Sequence, residues 1–106
     1  MESNQDADRW GALADGTRLA IVARLAEGPQ PVGQLAAGLP VSRSAVSQHL
    51  KILKDAGLVE DAAEGTRRIY RLNPAALAAL RDQLDTYWQR ALAGYTEAAE
   101  APTEEA

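Results

Sequence analysis

The side chains best suited to chemistry lie within residues 42–54, which hold Ser42, Arg43, Ser44, Ser47, Gln48, His49, Lys51 and Lys54; segment 41–54 has no acid. On a helix at 100° per residue, Val46, Leu50 and Leu53 fall together, and Ser44, Ser47, Gln48 and Lys51 fall on the opposite side, flanked by Arg43 and Lys54. Short hydroxyls, one amide and several cations suit the major groove of a duplex. Gln48 can bond adenine through both ends of its amide, and the Ser44 and Ser47 hydroxyls can donate or accept at base edges. Arg43 can reach a guanine or a phosphate, whereas Lys51 and Lys54 are assigned to the phosphate backbone. The helix start at Ser42 adds backbone donors for a phosphate.

His49 lies about 60° from the core direction on the same wheel, at the edge of the buried face. Two readings stay open for it, a packed and hydrogen-bonded boundary residue or a phosphate contact. A second set of cations follows at Arg67, Arg68 and Arg71. Arg67 and Arg68 come directly after Gly65-Thr66, near the tip of an expected hairpin, where arginine can enter a minor groove or hold phosphate. Glu60, Asp61 and Glu64 on the preceding strand are expected to repel DNA, so only the tip should touch. The plainer account of both segments is a charged face kept in water.

Bulk composition narrows the alternatives. The 106 residues suffice for one domain, and 46% of them are hydrophobic, an ordinary globular value. There is no cysteine and only one histidine, which excludes disulfides, thiolate metal sites and a typical zinc site built by one chain. The net charge is −4, but seven of the fifteen acids lie at the two ends, and residues 9–96 hold all eleven Lys/Arg against eight acids. For phosphate binding, local charge matters more than the whole-chain value. Residues 1–10 lack the basic start and apolar stretch of a signal peptide, and no apolar run is long enough for a membrane. The expected location is the cytoplasm, at the nucleoid.

The elements that must carry these residues follow from punctuation and periodicity. A short apolar stretch, Trp10 to Ala14, precedes Asp15, a suitable N-cap for a helix over 17–27, with Leu19, Ile21, Val22 and Leu25 inward and Arg18 and Arg24 outside. A short helix over 31–37 ends at Gly38 and Pro40, and Ser42 caps a longer one over 43–56, closed by Gly57. Leu58 to Leu72 reads as a hairpin around Glu64-Gly65-Thr66, with Tyr70 and Leu72 inward. Asn73-Pro74 starts a last helix reaching about Glu100, roughly 40 Å long. The fold expected is mainly α, a winged helix-turn-helix of four helices, a β-hairpin wing and a long C-terminal helix. It occupies 9–100, between acidic tails at 1–8 and 101–106.

These residues also carry a family resemblance. Ala12-Leu13-Ala14-Asp15-Gly16-Thr17-Arg18-Leu19, then Ser44 to Lys51, Leu53 to Val59 and Tyr70 to Asn73 resemble motifs of the ArsR-type (arsenic-repressor-like) transcriptional regulators, in order and spacing. The resemblance spans roughly residues 9–96. It implies a homodimeric, autoregulatory repressor on a partly palindromic operator in double-stranded DNA, with reading helices roughly 34 Å apart. It also implies a dimer interface from the first and last helices, here Trp10, Leu13, Leu84, Tyr87, Trp88, Ala91 and Tyr95. Metal sensors of that family use a cysteine pair where this chain has Val32-Gly33-Gln34-Leu35-Ala36, or Asp and His on the last helix, where Asp82 and Asp85 stand without histidine. The non-metal branch is therefore implied, with no cofactor and room for an unidentified small-molecule effector.

Two other readings compete. One is a winged-helix interaction module without DNA binding, and the other is a metal-responsive regulator with oxygen ligands. An enzyme fits least, since the chain has no cysteine nucleophile and no glycine-rich phosphate loop.

Overall fold

A computed structural model describes the backbone of residues 2–100 and the side chains of 8–99. In chain order the elements are α1 (Glu2–Leu13), α2 (Gly16–Leu25), β1 (Gln30–Pro31), α3 (Val32–Ala37), α4 (Arg43–Asp55), β2 (Val59–Glu64), β3 (Arg67–Leu72) and α5 (Pro74–Glu100). The expected winged helix-turn-helix is present. The expected tail at 101–106 lies outside the described residues.

Local chemistry sets the boundaries. Asp15 Oδ1 accepts from the Arg18 amide at 3.0 Å and Ser42 Oγ from the Ala45 amide at 3.1 Å, so each satisfies an otherwise orphan donor at a helix start. Helix α4 ends in a left-handed Gly57, φ 80°, with the Leu58 amide returning to the Leu53 carbonyl at 3.0 Å. Gly65, φ 66°, takes the first central position of the two-residue hairpin turn, where a side chain would be strained. Asn73 Oδ1 accepts from the Ala75 amide and caps α5, and Asn73 Nδ2 donates to the Gly57 carbonyl at 3.1 Å.

The hairpin is antiparallel with Val59 opposite Leu72 and Glu64 opposite Arg67, and β1 adds to the other edge of β3, giving the order β1-β3-β2. Sequence reading missed β1. Its two residues include Pro31, which a sheet tolerates only at an edge. Ile21, Leu35, Val46, Leu50, Leu53 and Leu58 are fully buried and form the centre of the core. Ala12 of α1 and Ala76 and Leu80 of α5 close it. The expected inward positions Tyr70, Leu72 and Leu77 pack against it, half-buried.

Three expectations need correction. Residues 2–8 are not a tail but the first turns of α1, because polar composition alone does not oppose a helix. Leu19 is 51% exposed; it lies about 160° round the helix from Ile21, which sets the buried face with Leu25. Arg18, by contrast, lies only about 60° from Ile21 and so points inward, with a side chain 15% exposed. Arg24 is half-buried as well, its guanidinium covering Gly38 so closely that a β-carbon there would collide with it.

Helix α5 leaves the body after its first turns. The molecule measures 71 × 30 × 23 Å, with a radius of gyration of 18.7 Å; a compact chain of this length would give about 13 Å. No helix among the described residues is long and apolar enough to cross a membrane.

Candidate nucleic-acid interface

Helix α4 shows the two faces that its periodicity requires. Val46, Leu50 and Leu53 are buried, while Ser44, Ser47, Gln48 and Lys51 are exposed. The buried face packs on α2 and α3, so the exposed face is held rigidly outward. No acid lies in the first turn. The Ser42 hydroxyl is spent on capping, which leaves its role as a site residue to the backbone around it.

Arg43 turns toward α3, with Nη1 3.7 Å from where a β-carbon on Gly33 would sit. It opens onto a cleft of about 600 Å³ between α3 and the wing tip, bordered by Gln34, Thr66, Arg67 and Arg68. Among the described residues Arg43 and Arg67 make no ion pair, so these two guanidiniums are available to an external anion.

The other candidate cations, Lys51, Lys54, Arg68 and Arg71, are each paired with an acid. Lys51 pairs with Asp55 at 2.9 Å, but both are well exposed; such an i,i+4 pair is worth about 0.3–0.5 kcal/mol and yields readily to a phosphate. Arg71 pairs with Glu60 at 3.0 Å on the outer face of the hairpin. Lys54 and Arg68 both bind Asp61, at 2.8 and 2.9 Å. Asp61 was expected to face DNA and repel it; instead its side chain is only 7% exposed. The Lys54 hydrogen bond, seconded by that of Arg68, outweighs burial and holds its carboxyl below the usual carboxylate range. Arg68 therefore folds back from the tip, and Arg67 is the wing cation that projects freely.

His49 is half-buried and its Nδ1 lies 3.2 Å from Arg18 Nη1. Arg18 Nε also donates to the Ala12 carbonyl at 2.6 Å, so one side chain joins the end of α1 to α4. His49 therefore lies at the edge of the buried face, within hydrogen-bond distance of Arg18. The sequence signal for Arg18 was its angle on the α2 wheel. For Asp61 it was alternation, since residue 61 shares a strand face with the inward Val59.

The distal part of α5 carries a second exposed surface. Leu84, Tyr87, Trp88, Leu92 and Tyr95 are 51–80% exposed, with Ala91 between them. They recur at threes and fours on one side of the helix. Trp10 and Leu13, also expected at an interface, are half-buried within the chain; Trp10 Nε1 donates to Gln83 Oε1 of α5. Asp82 is exposed beside Arg81 at 3.5 Å.

Known proteins share this arrangement. The sequence model for "bacterial regulatory protein, arsR family" matches residues 15–61, from the cap of α2 to Asp61 in the wing. The HTH-type transcriptional regulator Rv2034 of Mycobacterium tuberculosis is 62% identical over 98 residues, 92% of each chain. An ArsR-like transcriptional regulator from Rhodococcus superposes with a TM-score of 0.73 at 35% identity, over 95% of this chain and 98% of that one. The homodimeric winged helix-turn-helix DNA-binding domain Mb0332 of Mycobacterium bovis gives a TM-score of 0.68 at 35% identity, over 81% of this chain and 80% of that fragment. With the fold, the reading-helix motif and these likenesses in agreement, the chain belongs to the ArsR family of bacterial regulatory proteins.

Proposed function

We propose that this regulator is a homodimeric repressor that binds a partly palindromic operator, including one at its own promoter, and acts in the cytoplasm at the nucleoid. The observation that carries the reading is the outward face of α4, where Ser44, Ser47 and Gln48 stand exposed beside the Arg43–Arg67 cleft. Gln48, Ser44 and Ser47 read bases in the major groove. Arg43, Lys51 and the backbone at Ser42 hold phosphates, and Arg67 takes the flanking minor groove or its phosphates. Lys54 and Arg68 contribute charge from fixed positions. His49 acts from behind the face, through Arg18.

Two copies pair through the exposed α5 stripe of Leu84, Tyr87, Trp88, Ala91 and Tyr95, with Trp10 and Leu13 bracing it. A homodimeric relative supports pairing as such, and the exposed apolar stripe supports α5 as its place. Repression follows from occupancy, since a dimer spanning about one helical turn covers a promoter element. The reading takes no catalytic step, metal or cofactor. The chain has no cysteine, and no group of three or more His, Cys, Asp or Glu comes together among the described residues.

The test is fluorescence anisotropy on the protein's own upstream DNA and on a duplex selected from a random pool, between 50 and 200 mM salt. Three phosphate-binding cations per protomer give a slope of log K against log salt of about −5. Absence of salt-dependent binding to either duplex would sink the proposal.

A further inference from the structure

Burial along β2 falls away quickly. Val59 is buried, Glu60 and Asp61 are half-covered, and residues 62–64 are exposed. The hairpin is therefore anchored to the core only at its base. β1 braces β3, but only at Ile69 and Tyr70. From there to the tip, residues 62–64 and 67–68 of the two strands are exposed. Yet Arg67 at the tip and Gln48 on α4 must reach neighbouring grooves of one duplex, so the angle between hairpin and helix has to be fixed by something else.

Asp61 is placed to fix it. It sits on the helix-facing side of the hairpin, two residues beyond the last buried position. Its carboxylate bonds Lys54, in the last turn of α4, at 2.8 Å and Arg68, in the tip half of β3, at 2.9 Å. The carboxylate is covered, whereas Lys54 and Arg68 are 52% and 55% exposed. A covered acid of the wing, steadied within the hairpin by Arg68, makes one charge-assisted bond across to Lys54 of the helix, and that bond joins two elements that share little else at that height. Lys51–Asp55 and Arg71–Glu60, by contrast, each link residues within one element or one hairpin and set no angle between elements.

We infer that Asp61 is a positioning residue for sequence discrimination: by holding Lys54 and Arg68 together it sets the angle between reading helix and wing. The inference rests on the DNA-binding reading above. Phosphate contacts carry no sequence information and tolerate a loose wing, whereas base reading by α4 together with a seated wing does not. Losing the clamp therefore affects selected and unselected DNA unequally. It also removes one negative charge beside the DNA, which favours unselected DNA.

The experiment measures affinity of wild type, Asp61→Asn and Lys54→Gln for two duplexes of equal length at one salt concentration. One duplex is selected by the wild-type protein from a random pool; the other is of mixed sequence lacking that site. Thermal melting and sedimentation accompany each variant. Asp61→Asn is expected to bind the selected duplex about tenfold more weakly, comparable to one mismatched base pair, and the mixed duplex at least as well as wild type. Lys54→Gln, a change at an exposed side chain that keeps the fold, lowers the ratio of the two affinities in the same direction. If both affinities of Asp61→Asn rise together, Asp61 merely shields its cations, and if both fall together it is merely structural; either result overturns the inference. If the ratio is unchanged in Lys54→Gln, the clamp does not set discrimination even should Asp61→Asn fail to fold. Wild type that shows no salt-dependent binding to either duplex defeats the DNA-binding reading itself, a separate outcome.

Discussion

Replacing Trp88 with alanine tests the dimer most directly. Trp88 is 63% exposed on the distal half of α5. A tryptophan offers up to about 250 Å², so about 150 Å² remains to be covered by a partner. At about 25 cal/mol per Å², full covering contributes about 4 kcal/mol per site, of which alanine forfeits about 3. Two-fold symmetry applies the loss at both copies. Incomplete covering and the non-additivity of truncations reduce the total to about 3 kcal/mol. That corresponds to a dimer weakened about 100-fold. Sedimentation equilibrium over a concentration series reads the change. Circular dichroism provides the control, because alanine is the better helix former and Trp88 is not in the core, so helicity should hold. A dissociation constant within about threefold of wild type, in a variant with intact helicity, would refute the assignment of this face to the dimer.

Three further outcomes are expected. Arg67→Ala should lower the salt slope by about 2 for a dimer and weaken all sequences alike, whereas Gln48→Ala should leave the slope unchanged and lose about 1–3 kcal/mol of discrimination at one base pair; anisotropy at several salt concentrations separates the two. Leu50→Ala opens a cavity at a fully buried position and should cost about 2–5 kcal/mol, read by denaturant unfolding. Asp15 is lowered chiefly by the Arg18 amide and Asp61 chiefly by Lys54, both from an ordinary 3.8. Their contributions are present above that value and fade as pH falls through the lower folded pKa values. Melting temperatures followed below about pH 4 should fall less steeply in Asp15→Asn and Asp61→Asn than in wild type.

Residue type carried much of the structure. Ser42, Gly57, Gly65 and Asn73-Pro74 mark boundaries because capping and left-handed backbone restrict which residues fit, and each boundary they imply is present to within a residue or two. The two faces of α4 were equally legible, since Val46, Leu50 and Leu53 allow one inward direction. Other features depend on long-range geometry. β1 is two residues long and exists only because β3 lies beside it. Polar composition at 2–8 suggested a tail, although such composition alone does not oppose a helix. The largest misreadings concern charges. Arg18 and Asp61 were treated as solvent-facing by type, while their phase along α2 and β2 turns them inward to partners 31 and 7 residues away. Which acid a cation meets is decided by packing between elements, and a wheel or strand alternation supplies only the direction.

Asn73 has a consequence beyond capping. Its carboxamide receives the first amides of α5 with one end and grips the Gly57 carbonyl, just past α4, with the other. In a dimer built on α5, this ties the shared rod directly to the end of each reading helix. Two heads on such a caliper cannot adjust their span separately. A spacer lengthened by one base pair moves a half-site about 3.4 Å along and about 35° around the duplex. The gauge would have to bend at an asparagine that serves both of its arms, so operator spacing should be as much a part of recognition as operator sequence.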